Sequence, residues 1–89
     1  MSASAVGAHG TAVTSKTILD FLHERTRLEW DPDRDLFESG AVTSLFALEL
    51  VVFLEESFGV SITGDELRLD NFRTVTAMTA LVHRLREAA

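Results

Sequence analysis

The sequence contains no cysteine. That absence excludes a disulfide framework, a thiolate zinc site and a catalytic thiol together. Positive charge is also scarce: eight Lys and Arg stand against fourteen Asp and Glu, for a formal net charge of −6. No basic patch is available to neutralise phosphates, so nucleic acid is not an expected partner. No apolar run reaches the length of a membrane span, because Glu49, Glu55 and Glu56 interrupt the longest one. Residues 1–13 carry neither Lys nor Arg and no apolar stretch of the kind a secretory signal needs. They read as a flexible N-terminal tail, and residues 14–89 as one cytoplasmic domain. No glycine-rich phosphate loop and no G-x-S-x-G elbow occurs.

The 89 residues are 46% hydrophobic and 25% charged, close to the globular average, so a folded core is expected. Helical spacing dominates the pattern. A first helix is expected from about Ser15 to Leu28, with Ile18, Phe21, Leu22 and Leu28 on its apolar stripe. A long connection follows, from about Glu29 to Val42, in which Leu36 and Phe37 are apolar anchors. A second helix is expected from about Ser44 to Phe58, stopped by Gly59. Thr63 and Glu66 have capping-box spacing and predict a short helix from about Asp65 to Leu69. Thr74 should cap a last helix in which Val75, Met78, Leu81, Val82 and Leu85 repeat at threes and fours. Leu50, Val51, Leu54 and Phe58 complete the expected core.

The second helix is apolar over more than one face, so it is either central in the bundle or partly a docking surface. Charge is uneven as well. From Glu29 to Asp70 there are eleven acids and two bases, and the rest of the chain has three acids and six bases. The acidic block is either a solvated face or a surface that steers basic partners.

Candidate chemistry is sparse. Asp31, Asp33 and Asp35 have the opening spacing of a calcium loop, but its sixth and twelfth positions are Leu36 and Val42 rather than Gly and Glu. His9, His23 and His83 share no metal-ligand spacing, and no metal site is expected. Ser44 is the informative residue. It opens the second helix, where free N–H groups and the helix dipole tolerate a phosphoryl group. No histidine lies beside it in sequence to activate it, so it reads as a modification acceptor whose base comes from another protein.

From about Ser15 to Leu85 the chain resembles the acyl carrier proteins. The likeness is carried by Leu36-Phe37 and Gly40 ahead of Ser44-Leu45, by Leu48-Glu49-Leu50, and by Leu54-Glu55-Glu56-Ser57-Phe58-Gly59-Val60. Ile62, Asp65-Glu66-Leu67 and Asn71-Phe72-Arg73-Thr74-Val75 extend it. The resemblance implies an all-α, acyl-carrier-like four-helix bundle, with three main helices plus one short helix and a long loop between the first two. It implies a covalent 4′-phosphopantetheine arm on Ser44, donated from coenzyme A by a phosphopantetheinyl transferase. It further implies acyl-loading and acyl-modifying enzymes, and acyltransferase or synthase modules, as partners of a monomeric, non-enzymatic carrier. Thr43, Leu45, Glu49, Val52, Glu55 and Glu56 are then the partner-binding candidates. The family's usual Asp before the serine is Thr43 here, which removes one carboxylate from the expected contact. Thr43-Ser44-Leu45-Phe46 followed by Leu48-Glu49-Leu50-Val51-Val52 resembles a subgroup of discrete carriers for hydroxymalonyl-, aminomalonyl- or methoxymalonyl-type polyketide extender units. Two alternatives remain: a peptidyl or aryl carrier of a nonribosomal peptide pathway, and an unmodified helical interaction module.

Overall fold

In the computed structural model, residues 3–38, 40 and 42–88 are described, with side chains from residue 10 onward. Ser39 and Ala41, in the run leading to Ser44, lie outside the described residues, as does the His9 side chain. The order of elements is α1 (Ala3–Thr26), α2 (Phe46–Phe58), two 3-10 turns (Gly64–Glu66 and Leu69–Phe72) and α3 (Val75–Ala88). No strand occurs among the described residues. None of their helices is long and apolar enough to cross a membrane.

Helix α1 supplies Thr14, Ile18 and Leu22, each at most 2% exposed and spaced by four residues, so one stripe faces the core. It begins at Ala3, well before the expected Ser15. Alanines at positions 3, 5, 8 and 12 favour the helical conformation there, although Gly7 and Gly10 oppose it. It also stops earlier than expected. Arg27 takes a left-handed φ of 62° and its N–H donates to the His23 carbonyl at 2.7 Å. The turn swings Leu28 outward, to 41% exposure, and Trp30 enters the core in its place. The Thr26 hydroxyl holds that turn by accepting the Leu28 N–H at 3.2 Å and the Trp30 indole N–H at 2.9 Å.

The long connection is anchored as its apolar residues predict. Leu36 is fully buried and Phe37 packs at the core's edge. The Leu36 N–H donates to the Arg73 carbonyl at 2.7 Å, and the Thr76 N–H to the Pro32 carbonyl at 3.0 Å. The loop is thereby fixed to the start of α3, and its far end delivers the chain to α2.

Helix α2 buries Leu50 and Leu54 and ends at Gly59, whose φ of 66° is the left-handed conformation a C-terminal glycine supplies. Helix α3 buries Val75, Met78, Leu81 and Val82, and the Thr74 hydroxyl caps it by accepting the Ala77 N–H at 3.0 Å. Val51, Phe58 and Leu85, expected in the core, are half-buried at its margin. Where one short helix was expected there are two 3-10 turns. Gly64 sits at φ 60° and Leu67 leaves helical geometry, so the first turn closes after three residues. The capping box does not form, because the Glu66 carboxylate reaches Arg84 on α3 at 3.4 Å instead of turning back to Thr63.

Candidate functional site

Ser44 lies in the turn that feeds α2, and its side chain is exposed. The chain enters the helix through successive i→i+3 bonds: Phe46 N–H to the Thr43 carbonyl at 2.9 Å, Ala47 to Ser44 at 3.1 Å and Leu48 to Leu45 at 3.1 Å. The Thr43 hydroxyl also accepts the Phe46 N–H, at 3.3 Å. Thr43 thus closes the lead-in turn with its side chain, and the regular helix starts at Phe46 rather than at the expected Ser44. Ser44, next to it, is exposed to solvent.

A cavity of 410 Å³ is lined by Thr43, Leu45, Phe46 and Glu49 from α2 and its lead-in, and by Arg25 and Thr26 from the end of α1. Two of its lining residues flank Ser44 in sequence. Arg25 projects from α1 across this space. Its guanidinium pairs with the Glu49 carboxylate and lies 5.0 Å over the Phe21 ring. Phe21 in turn stacks on Phe53 with ring centroids 4.0 Å apart. No sequence pattern announces the Arg25–Glu49 pair, since 24 residues separate its members.

The partner-binding candidates have unlike surroundings. Leu45 is 74% exposed and Val52 50%, so neither is a core residue. Leu48, which sequence reasoning left unassigned, is 62% exposed on the same side. Glu49 is held by Arg25. Glu55 is half-buried, and its Oε2 accepts the Ile62 N–H at 2.8 Å, tying the end of α2 to the segment after it. Glu56 is exposed and has no bonded partner among the described residues. No cluster of three or more metal-ligating side chains occurs among the described residues.

In the loop, Asp35 holds structure. The Asp35 carboxylate accepts the Phe37 and Glu38 N–H groups at 2.9 and 3.1 Å and faces Arg73 at 3.2 Å. Burial pushes the Asp35 carboxyl up, but those amides and the guanidinium outweigh it and hold it below the usual aspartate value. Arg73 also binds Asp70 at 2.8 Å, and Asp70, opposing burial, leads Asp35 in raising the guanidinium further.

Comparison with known proteins fits this arrangement. The phosphopantetheine attachment site family matches residues 15–82, a stretch that includes Ser44, and the chain belongs to that family of carrier domains. D-alanyl carrier proteins of Streptococcus pyogenes serotype M1, serotype M5 (strain Manfredo) and serotype M49 (strain NZ131) are similar to it. Each is 38% identical over 56 residues, covering 63% of this chain and 71% of the relative. No solved structure matches the chain. The cofactor of such a carrier is covalently attached 4′-phosphopantetheine. The residues fit that group: the phosphodiester link needs an accessible hydroxyl, and the lead-in to α2 presents one.

Proposed function

We propose that Ser44 is the attachment point of 4′-phosphopantetheine and that the chain carries acyl groups between partner enzymes without catalysing bond changes itself. What supports this is the exposed Ser44 hydroxyl at the opening of α2, within the stretch that matches the family. In the modification, the Ser44 oxygen bonds to the β-phosphorus of coenzyme A, the pyrophosphate P–O bond breaks, and 3′,5′-ADP leaves. The hydroxyl proton passes to a base on the phosphopantetheinyl transferase, since Ser44 has no histidine beside it in sequence. Once bound, the group supplies a thiol that holds acyl groups as thioesters. The chain's own part is to present Ser44 on a fixed turn and to offer α2 to each partner.

The cargo we favour is an extender unit for a polyketide or hybrid synthase, on the resemblance of the Thr43–Val52 run to carriers of that kind. A second reading, an aminoacyl cargo loaded by an adenylating enzyme, is favoured by the D-alanyl carrier relatives.

Intact mass is measured after incubation with coenzyme A and a broad-specificity phosphopantetheinyl transferase, with Ser44→Ala as control. The expected result is a gain of one phosphopantetheine in the parent and none in the control. A folded parent that gains nothing, beside a carrier that the same transferase does modify, overturns the assignment. Incubating the modified protein with ATP, D-alanine and an alanine-adenylating enzyme then separates the cargos: an added alanyl mass supports the aminoacyl reading.

A further inference from the structure

Of the three acids on α2, Glu56 alone has no bonded partner among the described residues. Thr43 is neutral, Glu49 is paired with Arg25, and Glu55 is bound to the Ile62 N–H. Arg25 is restrained twice, by Glu49 and by the Phe21 ring beneath it, which favours the paired position over a freely swinging one. What remains outward is Leu45, Leu48 and Val52, spaced i, i+3 and i+7 on one helix face, with Glu56 at the margin. An apolar stripe with a polar edge is the anatomy of a protein-binding surface rather than of a solvated one.

We infer that Arg25 is a specificity-determining residue: by holding Glu49 within the chain, it makes partner enzymes read α2 through Leu45, Leu48 and Val52 instead of through acidic contacts. The occupant is a partner enzyme with an apolar docking face and no cation seated on Glu49. A partner that needs Glu49 must first displace Arg25, and it meets a neutral residue at Thr43 as well. Charge complementarity sets encounter rate and partner choice, so cancelling one carboxylate narrows the set of partners without altering the attachment serine.

This inference rests on the carrier reading, and the test keeps the two apart by measuring docking on a chain that cannot be modified. The Kd of Ser44→Ala protein for the broad-specificity transferase is measured in 50 and 500 mM salt, in backgrounds that add Glu49→Gln, Arg25→Gln, both, or Leu48→Asp. All four altered side chains are exposed, and circular dichroism checks their folding; Val52→Gln is the substitute should Leu48→Asp unfold. Glu49→Gln alone should move Kd less than twofold, and Leu48→Asp should weaken it at least tenfold. In the Arg25→Gln background, Glu49→Gln should move Kd at least threefold, with a salt dependence that the parent lacks. Three results each overturn the inference: weakening of fivefold or more by Glu49→Gln alone, a Leu48→Asp effect under twofold, or no coupling between positions 25 and 49. Undetectable docking overturns it too. Docking of the expected kind with an unmodified Ser44 in the parent chain refutes the carrier reading and leaves this one standing.

Discussion

Two acid-rich regions of this molecule use their carboxylates differently. In the α1–α2 loop, Asp31 accepts the Asp33 N–H at 2.8 Å, Asp33 accepts the Thr76 hydroxyl at 2.7 Å, and Asp35 binds two amides and Arg73. Asp31 shapes the loop itself, while Asp33 and Asp35 reach Thr76 on α3 and Arg73 just before it. On α2 and its lead-in, Leu45, Leu48 and Val52 are exposed, while Glu49 and Glu55 are occupied within the chain. A count of charge along the sequence cannot separate a carboxylate that fixes a loop from one that greets a partner. Hydrogen-bond partners do, and here they occupy Glu49 and Glu55 while Leu45, Leu48 and Val52 stay exposed.

The strongest way to sharpen that contrast is to compare inward and outward leucines of the same helix. Leu54 is fully buried, and Leu54→Ala should cost about 2–5 kcal/mol in urea unfolding, through lost burial and the cavity left behind. Leu48→Ala, at 62% exposure, should stay within about 0.5 kcal/mol. Equal losses would mean that Leu48 supports the fold and is no free docking residue.

A smaller effect divides the α2 acids. Glu55→Ala strands the N–H of Ile62, a residue only 2% exposed, and should cost about 1–3 kcal/mol. Glu56→Ala should be nearly silent in stability, within about 0.5 kcal/mol. The check is the urea midpoint of each variant. A silent Glu55→Ala would return that carboxylate to the surface available to partners.

Much of this architecture is legible in the sequence. The spacing of Ile18 with Leu22, of Leu50 with Leu54, and of Val75 through Val82 follows from the helical period, which places those residues on one side whatever their neighbours are. Gly59 and Thr74 mark helix ends because their roles are local: a left-handed residue and a side-chain cap. Ser44 stands out through its place ahead of α2 and the likeness of the whole run to carriers. What was not legible depends on distant partners. Glu66 turns to Arg84 instead of Thr63, Arg25 takes Glu49 across 24 residues, and Trp30 displaces Leu28 once Arg27 reverses the chain. The start of α1 at Ala3 was not legible for another reason: small residues before Ser15 show no apolar stripe, yet alanine among them is the best helix former.

The loop's inward acids make a pH prediction of modest size. The Asp35 carboxyl is held below its usual value in the folded chain, whereas unfolded it titrates near the ordinary aspartate pKa of about 3.9. A carboxyl depressed by folding stabilises the folded state above its unfolded pKa, and that stabilisation fades as pH falls through the folded value. Asp35→Asn keeps an oxygen for the Phe37 and Glu38 amides but loses the charge that Arg73 faces. Its Tm should therefore lie below the parent's at pH 7, with the gap closing as pH drops below about 4. A gap of constant size from pH 7 to pH 2 would show that Asp35 holds the loop by shape and hydrogen bonding alone. Its charge would then do no more than the exposed charge of Glu56, and the contrast between inward and outward acids would rest on geometry without electrostatics.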